Sequence, residues 1–463
     1  MKKLPLLFTT ALIGFSINSF GQINTTSYSE NNDGRQGNSN VFIGNQAGIN
    51  STGTSNVSIG PLSGQNTEGD GNVFIGIASG LFNTEGDSNT FTGSGSGFRN
   101  TSGSDNVFTG NGSGFDNTTG NNNIFTGANA GRSNTTGNGN IYTGVDAGNE
   151  NTNGLNNVFT GFEAGSESSG GQFNIYTGFQ AGRGSNGGND NVFIGRATGQ
   201  RNNGGRNNLF TGFRAGNQNT TGNENIIMGT NTGENNTTGS NNIFLGSAAG
   251  GLNQTGNHNI AIGNRAGFRS GGFGSDSQFN VFIGHFAGVN ERGSNKLYID
   301  NGEDFNSNGI PLIYGDFAED QLTFGGQVNI GGSENTPFPT NVNGEDISDF
   351  KLFVEGGVLA EALRISTNWA DYVFENTYKL KSLNEVESFI NTNGHLPNVP
   401  SAKEVEASGI DVGEITKIQQ EKIEELTLYL IEFNKEVKAI KEEVKAIKQE
   451  NSELKEELVN LKK

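Results

Sequence analysis

Apolar and polar positions alternate with one repeat across residues 38–289, a unit of mostly 16 or 17 residues that reads N-x-F-x-G-x-x-A-G-x-x-N-T-T-G. Fifteen copies begin at an asparagine, from Asn40 to Asn280. A fixed short period is the signature of a solenoid, in which each repeat forms one coil. The strict period also argues against disorder, since a chain without a core has no reason to keep an aromatic residue in phase.

Each repeat predicts one short strand bounded by glycines. Glycine stands four and eight positions after the asparagine in every copy, and it adopts positive φ at little cost, so these positions are predicted to be corners. Alternate residues of a strand face opposite ways, so the middle residue forms one buried column. This predicted aromatic ladder contains Phe42, Phe74, Phe91, Phe108, Phe125, Tyr142, Phe159, Tyr176, Phe193, Phe210, Phe244 and Phe282.

Other repeat positions refine this picture. The position seven after the asparagine is small, as at Ala130, which suits a coil too thin for two large side chains. The residues flanking each aromatic are Val, Ile, Leu or Thr, which predicts a second apolar face and an interface, most simply with other copies of the chain. Asparagines at the corners, such as Asn117 and Asn134, are expected to hydrogen-bond from coil to coil. Fifteen coils at strand spacing predict a rod of about 70 Å.

The N-terminal residues carry targeting information. Residues 1–21 contain two lysines, an apolar run and a small-residue end, the pattern of a signal peptide. Residues 22–37 are polar and are predicted to be a flexible start. No other apolar run reaches the length of a membrane span, and the chain has no cysteine. The mature chain is therefore expected to be exported without a membrane span.

Two segments follow the repeats. Residues 290–365 contain short apolar runs separated by Gly, Asn and Asp and are predicted to be a β cap or neck, with a hairpin about Gly356-Gly357. Residues 366–411 are predicted to be a short helical linker domain. Its helices would begin at two S-x-x-E capping boxes, Ser382 to Glu385 and Ser401 to Glu404.

Residues 412–463 have heptad periodicity and predict a coiled coil. The g positions are Glu and the following e positions are Lys, the pairing of a parallel, in-register coil. Isoleucine at two d positions favours three strands, with a dimer as the alternative. The predicted core is Ile423, Leu430, Val437, Val444, Asn451 and Leu458 at a, and Leu426, Phe433, Ile440, Ile447, Leu454 and Leu461 at d.

Composition and charge exclude several functions. The net charge is −19, which argues against a nucleic-acid partner. Acidic residues occupy variable repeat positions, so no pair is fixed in the way that a polysaccharide-cleaving enzyme or a calcium-binding roll requires. His395 lies in a turn without a Cys or Ser–Asp context and is interpreted as structural. We expect no enzyme, no cofactor and no metal site.

Two parts of the chain resemble known families. The runs at Asn40–Gly44 and Asn259–Gly263 resemble the head repeats of trimeric autotransporter adhesins, the YadA-like heads. That resemblance implies a left-handed parallel β-roll with three chains side by side, followed by a neck and a coiled coil. Residues 366–433 resemble the C-terminal segment of exported tail-fibre-like proteins of Bacteroidetes, through Trp369–Glu375, Gly394–Ala402 and Glu421–Tyr429. This second resemblance implies export and trimerisation.

These observations predict an exported, fibrous, non-enzymatic protein that presents a repetitive β-roll surface on a homotrimer. Its further partner would be a polysaccharide, or a host or abiotic surface. The alternative is an ice- or polysaccharide-binding solenoid, because threonines recur at one repeat position and would form a column at coil spacing. The column contains Thr92, Thr109, Thr126, Thr143, Thr160, Thr177 and Thr211.

Overall fold

A computed structural model describes residues 25–26, 39–269, 277–302, 311–331, 341–342, 345–346, 348–366, 369 and 371–461. The predicted signal peptide, and all of the predicted flexible start except Thr25–Thr26, lie outside these residues. The chain divides into two compact units, Met1–Gly326 and Gln327–Lys463. The boundary falls inside the segment predicted to be the neck.

The first unit is a parallel β-solenoid, which confirms the predicted repeat fold. Each coil contributes one three-residue strand, and each strand pairs in parallel with the next so that equivalent repeat positions lie opposite one another. The strands are β2 (Val41–Ile43), β3 (Val57–Ile59), β4 (Val73–Ile75), β5 (Thr90–Thr92), β6 (Val107–Thr109), β7 (Ile124–Thr126), β8 (Ile141–Thr143), β9 (Val158–Thr160), β10 (Ile175–Thr177), β11 (Val192–Ile194), β12 (Leu209–Thr211), β13 (Ile226–Met228), β14 (Ile243–Leu245), β15 (Ile260–Ile262) and β16 (Val281–Ile283).

Both ends of the stack change direction. At the first coil, β1 (Thr25–Thr26) pairs antiparallel with β2. At the other end, β17 (Lys296–Ile299) continues the parallel stack, and β18 (Ile313–Asp316) and β19 (Gln321–Phe324) follow antiparallel. The sheet therefore extends past residue 289, where the repeat pattern stops.

The interior of the solenoid is a column of aromatic rings. From Phe91 to Phe210 the successive rings are stacked, with centroids 4.6–4.9 Å apart and planes within 8° of parallel. This separation equals the spacing of paired strands, so the backbone hydrogen bonds set the distance between rings. Phe125 and Ala130 are completely buried, and one ring and one methyl group fill a coil.

Glycine is required at the corners for two separate reasons, which the coil of Phe125 illustrates. Gly127 has φ of 135°, and a Cβ there would lie 2.3 Å from the carbonyl oxygen of Gly144 in the next coil. Gly131 has φ of 57°, and a Cβ there would lie 2.5 Å from the ring of Phe125. A side chain at the first position would separate the coils, and one at the second would displace the ring.

The first asparagine of each repeat joins its coil to its neighbours. The backbone N–H of Asn123 donates to Oδ1 of Asn106 at 3.0 Å, and its Nδ2 donates to the same oxygen at 3.1 Å. Nδ2 also donates to the carbonyl of Gly137 at 2.8 Å, within the same coil. Oδ1 of each such asparagine from Asn40 to Asn259 accepts from the backbone N–H of the next.

A second column of buried asparagines occupies the corner predicted from the sequence. Nδ2 of Asn117 donates to Oδ1 of Asn100 at 2.6 Å and to the carbonyl of Gly120 at 3.1 Å. The first two coils have Ser51 and Thr67 at this position, and two later coils interrupt the column with Ser168 and Ser185, which donate to carbonyls of the following coil. The first asparagine is therefore the more regular of the two connections.

The second unit begins with short strands. The strand β20 (Val328–Ile330) pairs in parallel with β23 (Leu352–Val354), and β21 (Asn341–Val342) pairs antiparallel with β22 (Glu345–Asp346). The hairpin predicted about Gly356-Gly357 is wrong. The strand before these glycines is paired with β20, and residues 355–366, all of which are described, form no strand after them.

In the described residues after these strands lie four helical segments: a 3₁₀ helix Asp371–Phe374, and the α-helices α1 (Leu383–Asn393), α2 (Ala402–Ser408) and α3 (Val412–Asn460). Both predicted capping boxes are present, at Ser382 with Glu385 and at Ser401 with Glu404. Gly394 ends α1 in the left-handed conformation. The helix α3 is continuous over 49 residues, with Asp411 as its N-cap.

The aromatic column makes a prediction about stability. Phe125→Ala removes a ring that is buried and stacked on both sides. We therefore expect the free energy of unfolding to be about 3–5 kcal/mol lower than that of the natural chain. The cost should extend to neighbouring coils, since stability in a solenoid depends on nearest-neighbour contacts. The measurement is chemical denaturation followed by circular dichroism. Thr126→Ala, on the exposed side of the same strand, is the control, and equal midpoints for the two variants would contradict the buried column.

Candidate functional site

The side chains on either side of each buried aromatic point outwards and form a continuous outer face. This outer face consists of the first and third residues of β2 to β16. Most of its large apolar side chains are half exposed, for example Ile124 at 42% and Ile194 at 42%. Within one copy these side chains are thus somewhat more than half buried, and the rest of the face is open to solvent.

Threonine occupies the middle part of one column of this face. Thr109, Thr126, Thr143, Thr160 and Thr177 lie in successive coils and are exposed, whereas Thr92 and Thr211 are partly buried. The same column contains isoleucine, leucine or methionine towards both ends, as at Ile43 and Ile283. The column thus combines a regular array of hydroxyl groups with apolar ends.

One edge of the outer face carries large exposed side chains. We define the trailing edge as the residues five and six positions after the repeat asparagine. Phe162 and Phe179 stack there with centroids 5.3 Å apart, and the guanidinium of Arg196 lies between the rings of Phe179 and Phe213 at 5.8 and 5.4 Å. These cation–π contacts hold the arginine against the edge while its charge stays in solvent.

The opposite edge carries its own exposed aromatics. We define the leading edge as the one or two residues that precede the repeat asparagine. Phe173 is 54% exposed, and Phe279 is 52% exposed and stacks on the ring of His258. The repeat consensus predicts neither edge, because both edges lie at positions where the residue differs from coil to coil.

The residues predicted to form a coiled-coil core lie along one side of α3, which we call the seam. Ile423, Leu426, Leu430, Phe433, Ile440, Val444, Ile447, Leu454, Leu458 and Leu461 are exposed, Val437 is partly buried, and Asn451 is exposed. Nδ2 of Asn451 donates to the carbonyl of Ile447 at 2.9 Å. The structure thus brings the predicted core residues onto one helix and leaves the seam open in a single copy.

A polar network covers a different side of α3. The hydroxyls of Tyr372 and Tyr378 donate to Glu421 and Glu425, and Lys422 Nζ bridges the same two carboxylates at 2.8 and 2.9 Å. The hydrogen bond to Glu421 raises the pKa of Tyr372 to about 12. No sequence motif indicated this network, since its partners are 49 and 47 residues apart.

Glu421 is the buried centre of this network. Burial opposes its ionisation, but hydrogen bonds from Lys422, Tyr372 and Asn398 together hold the pKa of its carboxyl below the ordinary value. Buried carboxylates are stable when they are paired and hydrogen-bonded in this way. The network therefore attaches the segment around the 3₁₀ helix to α3.

An apolar groove of about 320 Å³ opens beside the seam. Leu383, Val386, Leu396, Pro397, Ile423 and Leu426 line it together with neighbouring polar residues. Two of these residues, Ile423 and Leu426, belong to the predicted coiled-coil core. The groove thus continues the open seam towards α1.

The described residues contain no group of three or more His, Cys, Asp or Glu side chains placed to hold a metal ion. The ring of His395 packs edge-on against the ring of Phe389, with their centroids 5.5 Å apart, and its Nδ1 lies 3.0 Å from the carbonyl oxygen of Leu396. These contacts place the ring beside α1.

In the part of the chain that the structure describes, no helix has the length and hydropathy of a membrane span.

No protein-family model matches the chain, and no curated protein or solved structure shows significant similarity to it. Functional proposals therefore depend on the outer face, its two edges and the seam.

The Glu421 network predicts a pH dependence. A carboxyl whose pKa is lower in the folded state stabilises the fold above its unfolded pKa of about 4.5 and loses that contribution as pH falls through the folded value. We expect the 3₁₀ helix to detach from α3 below about pH 4.5. Fluorescence of Trp369, the only tryptophan, reports this change from the adjacent residues.

The matched variant is Glu421→Gln. It keeps the shape but not the charge, so it should destabilise this packing at pH 7 by about 1.5–3 kcal/mol and flatten the acid transition. Glu432→Gln, on an exposed part of α3, should leave the transition unchanged. An identical acid transition in the Glu421→Gln variant would contradict the assignment.

Proposed function

We propose that this protein is an exported, fibrous, non-enzymatic structural or adhesin-like protein, in which a homotrimer presents the solenoid on a C-terminal parallel coiled coil. The observation that carries the proposal is the outer face. One of its two columns is apolar in every coil except that of Thr90, and the other is apolar except at its threonines. Both columns are partly exposed in one copy, and exposed apolar patches of that extent mark interaction surfaces. The resemblance to the heads of trimeric adhesins and the signal-peptide pattern of residues 1–21 support the export and adhesion parts.

The seam of α3 supports self-association through the coil. Its apolar residues recur over six heptads, and a solitary helix would leave them in water. The Tyr–Glu–Lys network occupies another side of α3. The segment from 371 to 398 approaches the seam at the groove beside Ile423 and Leu426, and both of these residues stay exposed. Glu436 at g would face Lys441 at the next e position of a neighbouring helix, as a parallel coil requires.

Adhesion follows from repetition in this proposal. A single coil exposes too little surface for tight binding, but many similar coils on three parallel chains raise the effective concentration of contacts. The partner would be an extended one, such as a polysaccharide or a host or abiotic surface. No chemical step and no cofactor is part of the proposal.

The oligomeric state tests the proposal directly. Light scattering of residues 22–463 should give three times the mass of one chain, and deletion of residues 420–463 should give monomers or aggregates. Leu430→Lys should have the effect of the deletion, since it places a charge in the seam. Glu432→Lys, two residues away and outside the seam, is the control. A stable monomer for residues 22–463 would overturn the trimer.

The second candidate function is binding of ice or of an ordered polysaccharide by the threonine column. The observation that favours it is the run of five exposed threonines in successive coils, from Thr109 to Thr177. Strand spacing places their hydroxyls about 4.8 Å apart, a regularity that could order water or match a repeating sugar surface. The two candidates differ in whether the outer face is free in the intact protein.

Thermal hysteresis and binding to insoluble polysaccharides separate them. If the outer face is covered by other copies, the intact protein should show no hysteresis, and Thr126→Asp with Thr143→Asp should instead lower the mass measured by light scattering. If the column is a binding site, the intact protein should be active and the double variant inactive. Thr136→Asp, at an exposed turn of the same part of the rod, is the control for added charge.

A further inference from the structure

We propose that the two edges of the outer face meet between copies, with the leading edge of one copy against the trailing edge of the next copy at the same coil. The inference rests on the proposed trimer and identifies the contact that would align the solenoids. The partner is a second copy of this chain. The proposal is based on the finding that in most coils the two edges are either both large or charged or both small or polar, although they do not touch within one copy.

Three early coils carry a large apolar side chain at the trailing edge alone, at Leu62, Ile77 and Val145, and the other early coils are small or polar at both edges. The coils that begin at Asn89, Asn106 and Asn123 pair Ser88 with Ser94, Asp105 with Asn111 and Asn122 with Ala128. In the coils from Asn157 to Asn208 and in the last coil both edges carry large or charged side chains, whereas the coils of Asn225 and Asn242 are polar or small at both edges. The corresponding pairs are Leu155 with Phe162, Phe173 with Phe179, Asp190 with Arg196, Arg206 with Phe213 and, in the last coil, Phe279 with Phe286.

The pair in the coil of Asn191 adds charge complementarity. Asp190 precedes this asparagine and Arg196 follows it by five positions, so an anion and a cation stand at opposite edges of one strand. Neither residue takes part in an ion pair of the described residues. The rings of Phe179 and Phe213 hold Arg196 in place at the edge, where it can meet a carboxylate from outside the copy.

These pairs cannot form inside one chain. The two members lie six or seven residues apart across a largely extended segment, which separates them by about 15 Å or more. Phe173 is 54% exposed and Phe179 is 44% exposed, and the two rings do not contact each other. A neighbouring copy is therefore needed to bring them together.

A rotational ring satisfies this requirement. When one edge binds the other edge of the next copy, the contact is heterologous and closes only if a small number of copies surround an axis. Parallel copies with their outer faces towards that axis place equal coils at equal height. A shift of one coil would place Asp190 against Phe179 or Phe213 and lose the ion pair, so the paired edges also specify register.

Cysteine cross-linking tests the contact, because the natural chain has no cysteine. The full-length mature protein is prepared with Asp190→Cys and Arg196→Cys together, oxidised, and analysed on a denaturing gel without reductant. We expect covalent trimers, because each copy supplies one cysteine to each neighbour and a disulfide requires Cα atoms within about 7 Å. Asp190→Cys alone should remain uncross-linked, since a heterologous contact keeps identical positions apart.

Two further variants control for folding and register. Asp190 has φ of 57°, so the pair Leu155→Cys with Phe162→Cys, at which neither residue has positive φ, repeats the test without that strain. The pair Asp190→Cys with Phe213→Cys is displaced by one coil and should give little covalent trimer.

The outcomes separate this inference from the proposed function. A trimer by light scattering in which neither same-coil pair cross-links, or in which the displaced pair cross-links equally well, would overturn the edge contact and leave the trimer standing. Covalent dimers from Asp190→Cys alone would also overturn it, because they show that like edges meet. A monomer by light scattering would overturn both.

Discussion

The spacing of hydrogen-bonded strands is the constraint on which the rest of the structure depends. One coil contributes a three-residue strand and one buried ring, which is too little to fold alone. Stacking aligns each repeat position with its equivalent, so the rings from Phe91 to Phe210 lie at the distance that the backbone sets. Aromatic pairs in isolation favour offset or edge-on arrangements, and the near-parallel column here exists because the strands impose it.

The same constraint that builds the interior also creates an apolar exterior. A strand that buries Phe125 must place Ile124 and Thr126 on the other side, and repetition turns these two residues into a face. Strand edges at the ends of such a stack invite further pairing. The antiparallel strands β18 and β19 follow the last parallel strand, β17, and the antiparallel strand β1 precedes β2. Neither end of the stack therefore continues with another repeat strand on which a further coil could pair.

Sequence patterns predicted the parts of the structure that depend on local or periodic residues. The aromatic ladder follows from glycines at fixed positions around Phe125, and the starts of α1 and α2 follow from the side chains of Ser382 and Ser401. Contacts between distant residues leave no such pattern. Leu352–Val354 pairs with a strand more than 20 residues earlier, and this pairing replaced the predicted hairpin. The stacking of β17 on β16 was also hidden, since its residues no longer follow the repeat.

The candidate functional surfaces also divide into those that a sequence pattern predicts and those that it does not. Heptad periodicity identified the seam of α3, and threonines in phase identified the column on the outer face. The edges were missed because Phe173 and Phe179 occupy variable positions, and each looks like ordinary surface variation until the two ends of one strand are compared. The Glu421 network was not predicted because the partners of this buried carboxylate are distant in sequence and come together only in the folded chain.

The hydrogen bonds of the repeat asparagines give the solenoid an electrical direction. Every Oδ1 in the series accepts from the coil that follows, so the amide groups are aligned along the stack in the manner of peptide groups in an α-helix. The last acceptor, Oδ1 of Asn280, receives the backbone N–H of Lys296 at 2.8 Å. A backbone N–H thus terminates the negative end of this column of dipoles, while the ammonium group of Lys296 pairs with Asp316. The two ends of the solenoid consequently differ in potential even where the repeats between them are alike.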